Sequence, residues 1–422
     1  MYKGIPEDVQ RVYGQMKKNI AVFGTFDTKG SEFTQLIKYL EREDLQVVLI
    51  DVSTKGEGPF AADFPTAAVL ARAGVSREQF SLMEKNECLL VMANGTKRII
   101  SEAIKDGKVH GVISIGGGQG AFVAGEVMRG LPVGFPKMIV STTVMLHTSS
   151  SHYLDINDTV VMNSLVDISG VNPILDMVIR NAAGAIAGMI KIADTGKHDA
   201  DAAPTVAISM WGVTTPCVTK MNDVLEGNGY QTYIFHANGY GGRMMENLAG
   251  NLLFDGLADI TMSELTIPLA GGEGDPIPFR YMKAGDTGTP RVVAPGGIDM
   301  VLFTPPFNVP DRFKNRPFYM HNNNLMFIRS SVEENRLFAD EAARRLNASK
   351  GPVKVLLPLR GVSAVDIEGN VMFDPEADQV FFDCIKEKLD KRIEVLEVDC
   401  NINDAEFAEA AAKTLMEMLE KK

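Results

Sequence analysis

The sequence has no apolar run near the ~18 residues that span a bilayer. Its first residues, "MYKGIPEDVQRVYGQMKKN", mix charges throughout and hold no apolar signal core. A cytoplasmic protein is therefore expected. Cysteine is scarce: Cys88, Cys217, Cys384 and Cys400 stand far apart with no C-x-x-C pair, which indicates neither a disulfide framework nor a zinc site. Of the histidines, His147 and His152 are close together, but their spacing suits neither a helical i,i+4 pair nor a known ligand motif, so no protein-held metal is expected. G-K-S and G-K-T are both missing, which excludes a P-loop. Positive charge is in deficit, with 42 Lys and Arg against 54 Asp and Glu and a net charge of −12. That balance repels polyphosphate backbones and speaks against nucleic-acid binding. Any phosphate-bearing ligand must find local help.

What is present reads as globular α/β. The chain's 422 residues are several times the roughly 150-residue prior for one domain. "IAVFGTF" (20–26) reads as a buried strand, and Phe33, Leu36, Ile37 and Leu40 then recur at helical spacing. The same unit returns at "VVLIDVS", "GVISIGGG" and "KMIVSTT". After the polar, turn-rich stretch "DTGKHDADAAP" (194–204) the pattern restarts with "TVAISM", "QTYIFHA", "LADITMSEL", "RVVAPGGI", "VKVLLPL" and "RIEVLEV", separated by helical stretches. The fold expected is two doubly wound, Rossmann-like parallel-sheet domains, residues 1–199 and 204–422, with a central cleft. A proline-rich irregular insertion is expected at about 266–325 of the second domain.

The stretch "GVISIGGGQGAFVAGEVM" (111–128) raises the question of a ligand. Gly116, Gly118 and Ala121 fit G-x-G-x-x-A between a strand and a helix. The next strand, "KMIVSTT", ends in Ser141, Thr142 and Thr143 with no carboxylate for a ribose diol, which disfavours NAD. What remains is general: glycines let backbone N–H groups approach an anion, and a helix N-terminus adds about half a positive charge. The alternative is a turn needed only for packing. "DTKG" (27–30) and "STKG" (53–56) bring Lys29 and Lys55, with Thr28, Ser53 and Thr54 as donors, to two strand carboxyl ends, where ligands of open α/β sheets collect. Lysine acts there as a point charge for phosphate.

"GTFDTKGSE" (24–32), "DVST" (51–54), "GGGQGA" (116–121), "LVDISGVN" (165–172), "FHANGYGGRMMENL" (235–248), "VVAPGGIDM" (292–300), "YMHNN" (319–323) and "LPLRGVSAVD" (357–366) together resemble the ATP-binding domain family named after the tomato mosaic virus resistance protein Tm-one. The likeness runs in order along nearly the whole chain. It implies two Rossmann-like halves with ATP in the first, held by Asp27, Thr28, Lys29, Ser53 and Thr54 and by the loop Gly116, Gly117, Gly118, Gln119 and Gly120, with Mg²⁺ arriving on the nucleotide. The family's G-G-S-G-G-T is altered at Gly118, which brings no hydroxyl, and at Gln119 and Ala121. Met145, Leu146 and His147 stand where small residues are usual.

In the second half, "HANGYGGR" (236–243) again joins strand to helix through glycines, and Arg243 is placed to clamp an anion. Glu264 at the end of "ITMSEL", His321 and Asn322 in the insertion, and Arg360 after "VLLPL" are expected to converge. Glu264, His321 and Arg243 would then act as catalytic groups on a small anionic substrate bound by Asn322 and Arg360. The competing readings are a structural network inside a nucleotide-binding module that docks on a partner protein, and a small-molecule binder or hydrolase that uses no ATP. A homo-oligomer is expected in each case.

Overall fold

Along β1 (Asn19–Gly24) successive side chains enter two different cores: Ile20 and Val22 join one apolar cluster, and Ala21 and Phe23 join the other. A strand buried on both faces requires helices on both sides of its sheet, the condition under which parallel sheets form. In the computed structural model, which describes residues 18–54, 56, 58–143, 157–193, 203–274 and 276–420, those helices are in place. The chain divides into two compact units, Met1–Gly196 and Lys197–Lys422.

The first unit holds β1, α1 (Phe26–Arg42), β2 (Gln46–Asp51), α2 (Thr66–Ala73), α3 (Arg77–Ser81), α4 (Lys85–Lys105), β3 (Val112–Gly116), α5 (Gly118–Arg129), β4 (Lys137–Ser141), β5 (Val160–Asn163) and α6 (Pro173–Ile192). Its sheet is wholly parallel, in the order β2-β1-β3-β4-β5. Helices α1 and α6 cover one face, and α2, α4 and α5 the other. The strand order reverses between β1 and β3, so the ligand crevice of this topology lies beyond the carboxyl ends of those two strands. Helix α6 is the one described helix long and apolar enough to cross a membrane, yet its Leu175, Val178, Ile179, Ala182 and Ile186 lie in the core against the sheet.

The second unit repeats the plan with β6 (Thr205–Met210), α7 (Thr215–Gly227), β7 (Gln231–His236), α8 (Gly241–Gly250), β8 (Gly256–Thr261), α9 (Ser263–Ala270), α10 (Lys283–Thr287), β9 (Arg291–Gly296), β10 (Met300–Phe303), β11 (Phe318–Asn322), β12 (Leu325–Arg329), α11 (Val332–Asn347), β13 (Val353–Pro358), α12 (Pro375–Lys388), β14 (Glu394–Val398) and α13 (Ala405–Glu420). The main sheet runs β7-β6-β8-β9-β13-β14, all parallel, with its reversal between β6 and β8. The expected irregular insertion at 266–325 needs correction. It contains the buried central strand β9, and the inserted element is a three-stranded antiparallel sheet, β10-β12-β11. "LADITMSEL" is likewise not one strand: β8 stops at Thr261 and Glu264 sits in the first turn of α9, where the helix dipole favours an acid.

A buried cluster fixes the end of this insert. The Arg329 guanidinium bonds Asp378 at 2.6 Å and the Asp374 carbonyl at 2.9 Å. The Ser363 hydroxyl donates to Asp299 at 2.7 Å, and the Val362 N–H donates to Asp366 at 2.8 Å. Asp378 bonds the guanidinium directly, Asp299 and Asp366 feel only its charge, and each of the three keeps one oxygen with no hydrogen-bond partner among the described residues. Burial, then repulsion from Asp366, pushes the Asp299 carboxyl from its ordinary 3.8 up to about 7, against the pull of Arg329. A carboxyl raised in the folded state gives stability that is full below pH 3.8 and is lost as pH rises through about 7. The stability of wild type relative to Asp299→Asn should therefore fall between pH 5 and pH 8 in urea titrations. A constant difference would show that Asp299 stays ionised throughout.

Candidate functional site

The chain leaves β1 through a turn in which Thr28 Oγ1 meets Thr25 Oγ1 at 2.9 Å and Lys29 departs from helical geometry, with φ −127° and ψ 27°. The Asp27 N–H donates to Ser53 Oγ at 3.1 Å, and the Ser53 N–H donates to Asp51 at 2.9 Å. Ser53 is thereby buried as a tie between the ends of β1 and β2. The Lys29 ammonium donates to the Ile168 carbonyl, and Glu32 accepts the Gly170 N–H at 2.8 Å. These two contacts clamp "GTFDTKGSE" to "LVDISGVN". Lys29 is thus a cross-link between these segments, with one of its three donors engaged by a carbonyl. Lys55 lies outside the described residues, as do Met145, Leu146, His147 and His152.

Beyond β2 opens a cavity of about 690 Å³ lined by Ser53, Thr54, Phe60, Arg77 and Phe80 among others. Arg77 is the cation here that sequence reading missed; it lies outside every quoted motif, and its own helix is only five residues long. Asp27, Thr28, Lys29 and the glycine loop do not line this cavity. Ser53 and Thr54 line it from the end of β2, and the Asp27–Ser53 bond ties that end to the end of β1.

The glycine loop divides further by what each position tolerates. None of Gly116, Gly117, Gly118 and Gly120 has positive φ. A Cβ on Gly116 would lie 2.8 Å from the Gly120 Cα, so this glycine serves close strand–helix packing. A Cβ on Gly118 would meet nothing within 4 Å; on Gly117 it would lie 3.6 Å from Thr142 Oγ1, and on Gly120 3.9 Å from the Ile115 carbonyl, both ordinary contacts. Gly118 and Gln119 are exposed. As the first positions of α5, residues 118–120 carry N–H groups with no intrahelical acceptor. Three glycines thus stand where neither backbone strain nor packing against any described residue requires them.

The second glycine loop is built differently. A Cβ on Gly241 would lie 2.1 Å from the His236 carbonyl, and one on Gly242 would lie 1.6 Å from Glu264 Oε2. Glu264 Oε1 accepts the N–H groups of Gly239 at 2.8 Å and Gly242 at 3.1 Å. The anion at this helix N-terminus is the protein's own carboxylate. Its other oxygen accepts from Arg280 Nε at 3.1 Å. Arg280 is fully buried, grips Asp259 through two bonds of 2.6 Å and stacks over Tyr281 at 4.6 Å. Glu246 accepts from the Tyr281 N–H in the same cluster, and burial raises its pKa above the usual carboxylate value.

The catalytic expectation for this half is corrected accordingly. Glu264 is 6% exposed and committed to Arg280 and two backbone donors. The Arg243 guanidinium donates to the Pro276 carbonyl at 3.1 Å. Arg360 forms an exposed bidentate pair with Asp399, 2.8 Å on each arm, and borders a separate 250 Å³ cavity with Asp378. His321 is exposed on β11, its ring 6.0 Å from Phe327, and Asn322 closes the β11–β12 turn by accepting the Asn324 N–H at 2.7 Å. Arg360 lines a different cavity from Glu264, and Arg243, His321 and Asn322 line neither. At the β6/β8 reversal there is instead a 340 Å³ cavity lined by Trp211, Asn238, Glu264, Ile267, Leu325 and Phe327 among others. Trp211, the chain's one tryptophan, closes the strand run "TVAISM"; an aromatic at a strand's carboxyl end is the signal that was available. Among the described residues no group of three His, Cys, Asp or Glu side chains is arranged to hold a metal ion.

The family model described as "Uncharacterised protein family (UPF0261) N-terminal domain" matches residues 18–195, and its C-terminal counterpart matches residues 203–419. A UPF0261 protein of Clostridium tetani is 38% identical over 96% of this chain and all of its own length. One of Mesorhizobium japonicum is 37% identical over 94% of this chain and 98% of its own. The ToMV resistance protein Tm-1(GCR237) of Solanum lycopersicum is 33% identical over 94% of this chain, which spans 55% of the tomato protein. Among solved structures, Acinetobacter baumannii MurG aligns with 95% of this chain and all of its own at 10% identity, with a TM-score of 0.24, too low to carry an argument.

Proposed function

The chain belongs to the UPF0261 family over both of its domains, and from that premise we propose that it is a cytoplasmic ATP-binding protein whose first unit holds the nucleotide's phosphates on the N-terminus of α5. One observation carries this reading: Gly117, Gly118 and Gly120 lie at the β1/β3 reversal, and nothing among the described residues requires glycine there. A glycine inside a helix costs roughly 0.5–1 kcal/mol relative to alanine. Close approach of an external group to the backbone accounts for that cost. The N–H groups of Gly118, Gln119 and Gly120 would take phosphate oxygens, and the Thr142 hydroxyl beside Gly117 adds a donor. Mg²⁺ would come bound to the phosphates and keep most of its waters.

Between an enzyme and a binding protein, the commitments of Glu264, Arg243 and Arg360 favour binding. Each already has an acceptor or donor inside the protein. Saturating ATP–Mg²⁺ should raise the melting temperature, since ligand at 100 times Kd contributes about 2.7 kcal/mol. Adenosine, which lacks phosphates, should give little shift. An unmoved transition in millimolar ATP–Mg²⁺ would end the proposal.

A further inference from the structure

The 340 Å³ cavity at the β6/β8 reversal has no part in the nucleotide reading, and its chemistry is distinct. Its walls come from four places: Trp211 after β6, His236 and Asn238 at the end of β7, Ser263 and Glu264 at the start of α9, and Leu302, Leu325 and Phe327 from the antiparallel insert. The insert therefore closes over the crevice that the parallel sheet opens, which gives this otherwise unexplained element a role. Trp211 and Phe327 meet edge to face at 5.1 Å, and Ile267 and Pro268 continue the apolar lining. The volume lies at the small end of the roughly 300–1,000 Å³ range of ligand pockets, enough for one ring with a short tail.

Charge narrows the ligand further. The acidic side chains in the described lining are Glu264 and Glu273, His236 is its one imidazole, and no lysine or arginine joins them. The place where an anion would normally sit, the N-terminus of α8, is filled by Glu264 through the N–H groups of Gly239 and Gly242. Glu273 also borders the space, accepting the Thr304 N–H at 2.8 Å. A carboxylate or phosphate ligand would face Glu273, and Glu264 whose other oxygen is already held by the buried Arg280, with no lysine or arginine in the described lining to receive it. We propose that this cavity is a binding site for a small molecule with an aromatic-sized apolar body and no negative charge, its polar end neutral or cationic.

The chain contains one tryptophan, and it lines this cavity, so tryptophan emission reports on the site. Three probes of matched shape test the inference: 2-phenylethanol, 2-phenylethylamine and phenylacetate. The alcohol and the amine should change the emission saturably, with phenylacetate at least about tenfold weaker, a difference of 1.4 kcal/mol. Leu325→Phe, which fills the cavity from the insert, should abolish the response while the circular dichroism melt stays within a few degrees of wild type. Glu273→Gln should narrow the gap between amine and acid. Equal or tighter binding of phenylacetate would overturn the charge assignment. Failure of all three probes, or an undiminished response in folded Leu325→Phe, would overturn the site. ATP binding by the first unit is read separately, by thermal shift, so the two accounts fail independently.

Discussion

Gly118→Ala should make the protein more stable and at the same time unable to hold ATP. The added methyl meets nothing within 4 Å, and the backbone there has no positive φ that alanine would resist. Alanine in place of glycine at a compatible site stabilises by about 0.4–1 kcal/mol, largely through the unfolded chain. For a unit of this size, that is a rise of up to about 2–4 °C in melting temperature. The same methyl would stand where phosphate is proposed to approach the N–H groups of residues 118–120, so the ATP-dependent shift should fall by at least the equivalent of tenfold in affinity, about 1.4 kcal/mol. Gly116→Ala is the contrast. Its Cβ would press on the Gly120 Cα at 2.8 Å, and overpacking of that kind costs about 1–3 kcal/mol. Melting curves of the three proteins with and without ATP–Mg²⁺ decide the matter. A destabilised Gly118→Ala, or one that keeps the full ATP shift, would mean that this glycine serves the fold.

Arg280→Met should be the most damaging single change outside the apolar core. It strands Asp259, and it takes from Glu264 and Glu246 a cation that each of them contacts. Removing one partner of a buried pair costs about 3–5 kcal/mol, because the remaining charge stays buried without compensation. The loss should depend on pH. Burial already raises the Glu246 pKa, and Arg291 and Arg280 are the cations that oppose the rise. Without Arg280 the folded-state Glu246 carboxyl moves further up, and a raised carboxyl contributes stability at low pH that is lost as pH rises. The deficit relative to wild type should thus be smaller at pH 5 than at pH 8 in urea titrations. A deficit below 1 kcal/mol, or one independent of pH, would contradict the view that Arg280 organises this core.

The fold was readable because its signals are of the strongest kind. Short strands buried on both faces, alternating with helical stretches, admit few architectures, and "VKVLLPL" and the Ala-rich closing helix lie where the periodicity places them. The antiparallel insert was not readable, since its prolines conceal three short strands, one of which carries the exposed His321 and Asn322. The candidate sites were legible as locations, the strand carboxyl ends, and less so as roles. Arg243, Glu264 and Lys29 look alike in sequence whether they face a ligand or a neighbour, and what engages them is remote: Pro276, Arg280 and Ile168. Arg280 sits in "PIPFRYMK" with no local sign that its guanidinium will be wholly buried. The two glycine loops read alike as well, yet one makes room for Glu264, while Gly117, Gly118 and Gly120 of the other make room for nothing among the described residues.

That last contrast is open to direct measurement. With glycine amides selectively labelled with ¹⁵N, titration of ATP–Mg²⁺ should shift the resonances of Gly117, Gly118 and Gly120 saturably. Those of Gly241 and Gly242, whose loop already holds Glu264, should stay in place. If the first set is unmoved at saturating nucleotide, or if the second set moves instead, the assignment of the phosphate site to α5 is wrong.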